Sequence, residues 1–322
     1  MRGAIGGEQR TRALLKVVDG CDRFCAYCII PYARGGVRSK PEAEILREAE
    51  GLVKAGYKEL ILTGINLPLY GQDRRTEAGL LRYTRNDGAG ANDEAGAGNN
   101  LYKLVKKMCA ISADREFRVR LGSLEPTVIT AEDAEGLAGI KGVCPQFHLS
   151  LQSGCEKTLK SMGRNYTPED FEAIVTSVRK IDPLFSITTD VIVGFPGETD
   201  ADFEESAEFV RRIGFAKIHV FKYSKRPGTK AVEMTDQISE ELKQYRGKVL
   251  AGISEKGKKD FIDKNIGNAR RTLILGQGGK SKNIRGLTDN GIDINLPDDL
   301  CEFKKNEFYT IVLKEEMAFF VE

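Results

Sequence analysis

The sequence predicts an α/β fold in two parts: a partial TIM-like barrel of six β/α units over residues 1–264, and a small all-β, OB-like barrel over residues 265–322. Apolar strand patterns alternate with amphipathic helix patterns about six times, which is typical of a parallel β/α architecture. The predicted strands end in polar or glycine-bearing residues, as in barrels whose chemistry lies at the strand ends. After Asn265 the helical periodicity stops and short strand patterns follow.

Each barrel element has its own signal in the sequence. Apolar runs predict strands at 14–18, 58–63, 117–121, 146–151, 187–193 and 217–223. Apolar residues at helical spacing predict the helices between them. The predicted N-caps are Asn100, Thr130, Thr167 and Thr199, and Pro168 suits the first turn of the helix after Thr167.

Residues 72–100 interrupt this alternation. The segment is rich in Gly, Ala, Asn and charge and poor in apolar residues, which predicts a surface insertion that is disordered in part. The charged stretch 238–264 predicts a helical linker that closes the barrel. Beyond it, short strand patterns at 270–277, 282–288, 291–296, 308–313 and 317–321 predict the OB-like barrel.

Composition excludes several classes of protein. The net charge of +2 gives no sign of nucleic-acid binding by bulk charge, so any basic surface would be local. Seven cysteines in 322 residues are not a disulfide framework, and a grouped set of thiols favours a reducing compartment. No apolar run approaches the roughly 20 residues of a membrane span, and the N-terminus lacks the apolar core of a signal peptide. We therefore expect a cytoplasmic protein without a membrane partner.

Three cysteines follow the first predicted strand in a C-x3-C-x2-C spacing: Cys21, Cys25 and Cys28. A structural zinc site wants four protein ligands, and an ordinary iron–sulfur cluster wants four cysteines. Three thiolates in one tight loop instead indicate a 4Fe–4S cluster with one iron left open for a substrate or cosubstrate. Zinc, or a loop of idle thiols, is the alternative.

The cysteine segment, DGCDRFCAYCIIPYARGGVRS, resembles the signature of the radical S-adenosylmethionine (SAM) enzymes. Together with LTGIN, RVRLGSLEP, FHLSLQSG, DVIVGFPGE and FKYSKRPGT, it is similar to the methylthiotransferase branch of that superfamily. Within the branch, the chain most resembles the threonylcarbamoyladenosine tRNA methylthiotransferases. The C-terminal module is similar to the RNA-binding TRAM domain of that family. The resemblance runs from about residue 11 to the end, without the insertion.

The resemblance implies which residues hold the cofactors. Cys21, Cys25 and Cys28 would ligate the cluster, and Arg164 would pair with the SAM carboxylate. The other implied SAM contacts are Tyr27 at the adenine, Thr63, Gly64, Ile65 and Asn66 at the amino group, Ser123, Glu125, Gln152 and Ser153 at the ribose or methionine part, and Val193 and Gly194 in the adenine pocket. No catalytic side chain is assigned.

Each implied contact has a structural alternative. Ser123 and Ser153 would then cap helices, and Glu125 with Arg164 would form a structural ion pair. Gly194 would be a turn residue.

The resemblance also implies a reaction. An electron from a donor such as flavodoxin or ferredoxin would reach the cluster and cleave SAM to a 5′-deoxyadenosyl radical. The radical would take hydrogen from carbon 2 of N6-threonylcarbamoyladenosine 37 in the anticodon loop of ANN-decoding tRNA, where sulfur and a methyl group from a second SAM follow. The alternatives are methylthiolation of a ribosomal protein aspartate, and an RNA- and SAM-binding core without methylthio transfer.

The family carries a second 4Fe–4S cluster, the presumed route for sulfur, in a domain that precedes the barrel. This sequence begins about twenty residues before Cys21 and has no second grouped cysteine set. We therefore expect the chain to be a core that lacks the sulfur-supplying site.

Other polar residues have weaker signals. His148 and His219 lie inside strand patterns, where a histidine is usually a core residue, and we assign them no ligand role. In the TRAM-like module a basic set could contact phosphates or form a plain solvated face. That set is Arg270, Arg271, Lys280, Lys282 and Arg285.

Overall fold

The computed structural model describes residues 11–73, 99–111, 115–277, 283–296 and 303–319. The strands are β1 (Arg12–Asp19), β2 (Arg38–Ser39), β3 (Glu59–Gly64), β4 (Arg118–Leu121), β5 (Ser123–Leu124), β6 (Gln146–Leu149), β7 (Ser186–Val193), β8 (Lys217–Lys222), β9 (Ala269–Gln277), β10 (Ile284–Thr288), β11 (Asp293–Leu296), β12 (Phe308–Val312) and β13 (Ala318–Phe319). The α-helices are α1 (Ile30–Arg34), α2 (Glu42–Lys54), α3 (Asn99–Cys109), α4 (Ala131–Ala138), α5 (Glu156–Ser161), α6 (Pro168–Ile181), α7 (Asp200–Ile213) and α8 (Glu240–Asn265). Most of the predicted insertion, residues 74–98, lies outside the described residues.

The barrel strands confirm the predicted parallel architecture. One sheet has the order β2-β1-β3-β4 and a second has the order β5-β6-β7-β8; in both, every neighbouring pair is parallel except the short β1–β2 pair. Gly122 separates β4 from β5, and its N–H donates to the Leu62 carbonyl at 2.8 Å. A Cβ at Gly122 would lie 2.8 Å from that same oxygen, so this close approach requires glycine.

Alternate residues of the strands point toward the helices and form the main core. They include Leu15, Leu60, Val119, Phe147 and Val191, all at most 1% exposed. The opposite face of the sheet is polar in several places, as expected where a barrel surrounds a site rather than a packed interior.

Three of the predicted helix caps are confirmed. Thr130, Thr167 and Thr199 each accept a hydrogen bond from the backbone N–H three residues on, within a complete capping box. The predicted cap at Asn100 is wrong, because α3 already begins at Asn99. The Asn100 amide instead donates to the Gly71 carbonyl at 3.1 Å and so ties α3 to the segment after β3.

The C-terminal module is a five-stranded antiparallel sheet with the order β12-β9-β10-β11-β13, in agreement with the predicted OB-like strands. Helix α8 ends at Asn265, near the predicted linker boundary, while the division into domains stays a prediction. Among the described residues, no helix is both long and apolar enough to cross a bilayer.

A buried ionic network joins this module to the N-terminal ends of the barrel strands. Glu59, fully buried at the start of β3, accepts hydrogen bonds from Arg12 at 2.8 Å and from Arg118 at 2.6 Å, and it also binds Arg120. Arg118 donates onward to the backbone carbonyls of β9 and β10, at Arg271 and Leu287, each at 3.0 Å. Through Arg118, the Glu59 carboxylate therefore connects the barrel to the C-terminal module.

The arginines of the C-terminal module that were considered for phosphate binding form ion pairs with carboxylates. Arg270 pairs with Asp182 at 2.8 Å, and Arg271 pairs with Glu116 at 2.5 Å, so both connect the module to the barrel. Arg285 pairs with Asp293 at 2.9 Å. Lys280 and Lys282 lie outside the described residues. The charge pattern of the sequence could not reveal these pairs, because the acidic partners of Arg270 and Arg271 are distant in the chain.

We expect Glu59→Gln to lower the free energy of unfolding by about 3 kcal/mol or more, because it leaves buried guanidinium groups without a counter-charge. Urea titration measures this change. The matched control is Glu208→Gln, an exposed carboxylate on α7, which should stay within about 0.5 kcal/mol of the parent. Equal stability of the two variants would refute the structural role of Glu59.

The pH dependence of stability gives a second check. Burial alone would raise the pKa of Glu59, but Arg120, Arg118 and Arg12 outweigh it and hold the pKa far below the ordinary value of 4.5. Because the folded-state pKa is depressed, this stabilisation is complete above about pH 5 and is lost as the pH falls. We expect the parent to lose more stability than Glu59→Gln between about pH 5 and pH 3. Parallel curves for the two proteins would contradict this assignment.

Candidate active site

The three motif cysteines lie in a tight loop at the C-terminal end of β1. Gly20 has a φ of 74°, and a Cβ there would overlap the Gly36 carbonyl. Phe24 also has a positive φ, of 46°, so the loop holds a strained turn between the first two cysteines. The Cys28 N–H donates to the Cys25 carbonyl at 2.9 Å, which fixes the second turn.

The donor set fits a cluster better than a single metal ion. Cys21, Cys25 and Cys28 are free thiols, and the first two are only 9% exposed. A structural zinc site takes four protein ligands, whereas this loop offers three thiols, the number that leaves one iron of a 4Fe–4S cluster open. The cluster assignment stays a prediction.

Burial favours the protonated form of the Cys21 and Cys25 thiols. It raises the pKa of Cys21 to about 11 and also raises the pKa of Cys25, against the opposing effect of Arg164. A metal group bound here must displace these protons, since the thiolate is the ligand form.

Glu125, just after β5, is the centre of the polar site beside the cysteine loop. It binds the guanidinium of Arg164 and the amide of Asn66, and it accepts a hydrogen bond from Thr127 at 2.6 Å. Arg23 lies 3.7 Å from its second oxygen. Arg164 also donates to the Tyr27 hydroxyl at 2.9 Å. Segments distant in sequence thus meet around one carboxylate, and the bond between Tyr27 and Arg164 joins positions 137 residues apart.

Burial and the surrounding polar groups determine the protonation states of Glu125 and Tyr27. Burial alone would raise the pKa of Glu125, but Arg164, Thr127 and Arg23 outweigh it and hold the pKa below the ordinary value. Burial raises the pKa of Tyr27 well above its usual range, so its hydroxyl stays neutral. The site therefore combines a carboxylate, two guanidinium groups and a phenol.

Three buried polar atoms of this site have no hydrogen-bond partner among the described residues. They are Asn66 Oδ1, Arg164 Nε and Arg23 Nε. Buried polar groups are normally satisfied, so a cluster of orphaned atoms is expected where a ligand completes the bonding. Two of these atoms are donors and one is an acceptor, a combination that suits a zwitterionic amino-acid group such as that of SAM.

A cavity of about 310 Å³ opens beside Cys28. Its walls include Tyr27, Gln152, Asp190, Phe221 and Arg226. Gln152 has a φ of 66°, and its N–H and C=O bond to Asp190 and Ile192 of β7, each at 2.8 Å. This strained position holds Gln152 at the cavity wall.

The remaining predicted SAM contacts have these positions. Thr63 and Gly64 end β3, where a Cβ at Gly64 would overlap Val18. Ser123 is exposed, and the buried Ser153 hydroxyl accepts a bond from the Cys155 N–H at 3.2 Å.

Val193 is buried at the end of β7, and the next residue, Gly194, is in a turn with a φ of 70°. The Gly194 N–H donates to Glu198 at 2.7 Å. The structure thus brings Tyr27, Asn66, Glu125 and Arg164 into direct contact, and the SAM roles of all these residues stay predictions.

The sequence analysis did not predict that His148, Asp190 and His219 lie together. His148 of β6 and His219 of β8 have their rings 5.8 Å apart, with Asp190 of β7 between them. Burial lowers the pKa of His219 in spite of Asp190. The strand patterns themselves carry the signal that could have found this group, because all three residues lie on the face turned away from the helices.

Comparisons with known proteins identify the chemistry of this fold. The profile described as the radical SAM superfamily matches residues 15–210. The chain is 36% identical to the threonylcarbamoyladenosine tRNA methylthiotransferase MtaB of Aquifex aeolicus, over 88% of this chain and 62% of the relative. It is 39% identical to the protein of the same name from Thermotoga maritima, over 83% and 56%.

A relative that is named for a different tRNA substrate also matches the chain. The tRNA-2-methylthio-N(6)-dimethylallyladenosine synthase of Caldicellulosiruptor saccharolyticus is 34% identical over 88% of this chain and 55% of the relative. The chain thus spans little more than half the length of these curated relatives.

Solved structures support the fold. Coproporphyrinogen III oxidase (HemN) from Escherichia coli, described as a radical SAM enzyme, has a TM-score of 0.51 at 14% identity and covers 95% of this chain and 73% of that chain. The radical SAM methyltransferase TsrM from Kitasatospora setae has a TM-score of 0.52 at 18% identity and covers 68% and 38%.

After anaerobic reconstitution we expect about four irons per chain. Cys21→Ala, Cys25→Ala or Cys28→Ala should each remove most of the iron and the visible absorbance. Cys109→Ala, in α3, is the matched control and should keep both. Bound zinc in place of iron, or full iron content in the triple variant, would show that the cluster assignment is wrong.

Proposed function

Because the chain belongs to the radical SAM superfamily, we propose that it is the catalytic core of a tRNA methylthiotransferase. The observation that carries this proposal is the 36–39% identity, over most of the chain, to relatives named as threonylcarbamoyladenosine tRNA methylthiotransferases. Its substrate would be N6-threonylcarbamoyladenosine 37 in the anticodon loop of ANN-decoding tRNA, modified at carbon 2. A cytoplasmic location would follow from that substrate.

As a member of the superfamily, the chain uses a 4Fe–4S cluster and SAM. When bound, the cluster supplies the electron that cleaves SAM to a 5′-deoxyadenosyl radical. We propose flavodoxin or ferredoxin as the source of that electron.

The chain's own residues would bind and orient SAM. The orphaned Arg164 Nε is suited to the SAM carboxylate, and Asn66 Oδ1 to its ammonium group. Glu125 would position both, because it already binds each of them. Tyr27 and Gln152 both line the cavity and would exclude water from the reacting carbon.

The cavity mouth has the features of a nucleotide site. Phe221 is 52% exposed and lines the cavity, where a base could stack on its ring. Arg226 also lines the cavity and makes no ion pair with any described carboxylate, so it is available for a phosphate. These features favour RNA over the aspartate of a ribosomal protein, the alternative substrate.

The relatives favour a threonylcarbamoyl over a dimethylallyl substrate. Identity is 36–39% to those named for the former and 34% to the one named for the latter.

The substrate test follows hydrogen rather than sulfur, so it does not depend on sulfur supply. Anticodon stem-loops deuterated at carbon 2 of adenosine 37 would carry threonylcarbamoyl, dimethylallyl or no modification. With SAM and dithionite, we expect deuterium in 5′-deoxyadenosine only with the threonylcarbamoyl RNA, measured by mass spectrometry. Transfer only from the dimethylallyl RNA would correct the substrate. SAM cleavage without transfer from any RNA would refute the tRNA proposal.

We expect Arg164→Lys to weaken SAM binding by about 10-fold to 100-fold, because lysine keeps the charge but loses the planar fork of donors. Equilibrium dialysis of the reconstituted protein measures the dissociation constant. Arg211→Lys, in exposed ion pairs on α7, is the matched control and should bind SAM as the parent does. An unchanged dissociation constant in Arg164→Lys, with normal iron content, would leave the arginine a purely structural role.

A further inference from the structure

The chain has two histidines in 322 residues, and the fold brings them together. His148 lies on β6 and His219 on β8, on either side of β7. In the parallel register His148 is opposite Thr188, and Asp190 is opposite His219. The three strands therefore place two imidazoles and one carboxylate on the same face of the sheet.

The ligand atoms of this group are close to one another. His148 Nε2 is 3.2 Å from Asp190 Oδ2, and one ligand atom from each of His148, Asp190 and His219 lies within 4.8 Å of the others. The second ring nitrogen of His148, Nδ1, is 3.0 Å from the Thr188 hydroxyl. When Nδ1–H donates to Thr188, the lone pair of Nε2 points at Asp190 Oδ2, and a cation bound by both atoms would remove the repulsion between them.

We propose that His148, Asp190 and His219 form a site for a single first-row divalent cation of the nitrogen- and oxygen-binding class, such as Zn²⁺ or Co²⁺. Such ions take imidazole and carboxylate ligands at about 2.0–2.2 Å, which puts neighbouring ligand atoms about 3.4 Å apart in tetrahedral geometry. The His148–Asp190 distance of 3.2 Å already matches this spacing, and His219, within 4.8 Å of both, would move closer to complete the site. The remaining positions of the ion would hold water or an oxygen of a bound molecule. Thr188 would orient His148, as outer hydrogen-bond partners of metal-bound histidines do.

The site differs from the cysteine loop in chemistry and in position. Its donors are two nitrogens and a carboxylate oxygen, whereas the loop offers sulfur alone. Asp190 belongs to both the group and the wall of the cavity beside Cys28, so an ion bound here would adjoin the cavity. The inference does not depend on the identity of the RNA substrate.

The scarcity of histidine makes the test direct. Protein labelled with ¹³C in histidine gives two sets of imidazole NMR signals, one for each ring. Zn²⁺ is added to the reconstituted protein. We expect both sets to change together and to saturate at one ion per chain beyond any zinc taken up by thiols. If neither imidazole responds, or only one does, the three side chains do not bind a metal together and the proposal is wrong.

Variants separate this site from the cluster. We expect Asp190→Asn to weaken the zinc response at least tenfold, and Thr188→Val about tenfold, the usual effect of losing an outer-shell partner. Glu208→Gln, at an exposed carboxylate on α7, is the control and should respond as the parent does. The Cys21, Cys25 and Cys28 triple Ala variant should keep the imidazole response. Loss of the response in that variant, with retention in Asp190→Asn, would assign the zinc to the thiols.

Discussion

The shared direction of the barrel strands is the constraint on which the candidate site depends. Because β1, β3, β5 and β6 run parallel, their carboxyl ends meet at one edge of the barrel. The cysteine loop, Asn66, Glu125 and Gln152 each follow one of these ends. No local interaction could bring residues so distant in sequence to one carboxylate, and reversing one strand would remove its residue from the site.

Two buried carboxylates, each bound by arginines, have different roles at the two ends of the barrel. Glu59, at the N-terminal ends, binds three arginines, and two of these donate onward to backbone carbonyls of the C-terminal module. Glu125 lies at the carboxyl ends of the strands. Its partners Asn66, Arg164 and Arg23 each have one buried polar atom without a hydrogen-bond partner among the described residues. A network whose groups are satisfied is structural, whereas one with unmatched donors and acceptors is prepared for a ligand. The hydrogen-bond inventory, rather than the presence of charge, separates the two.

Much of the fold could be predicted from the sequence. Strand patterns and the threonine caps depend on a few neighbouring residues, and the structure agrees with them. The strand patterns place His148, Asp190 and His219 on one face of their strands, but the contacts among these three side chains could not be predicted, because they depend on the register between three strands. The partners of Arg270 and Arg271 were equally hidden, since Asp182 and Glu116 are distant in sequence. Asn100 failed as a cap because α3 begins one residue earlier, and its side chain binds the Gly71 carbonyl across the insertion instead.

The attachment of the C-terminal module has a consequence for the shape of any RNA that the chain recognises. The module contacts the N-terminal ends of the strands, and the cavity lies at their carboxyl ends. The longer strands, of 8 residues, separate these two faces by about 26 Å at roughly 3.3 Å per residue. A single nucleotide is far too short to touch both faces. An RNA held by the module and by the cavity together would therefore run along the outside of the barrel over several nucleotides, so its selection could not rest on the identity of one base.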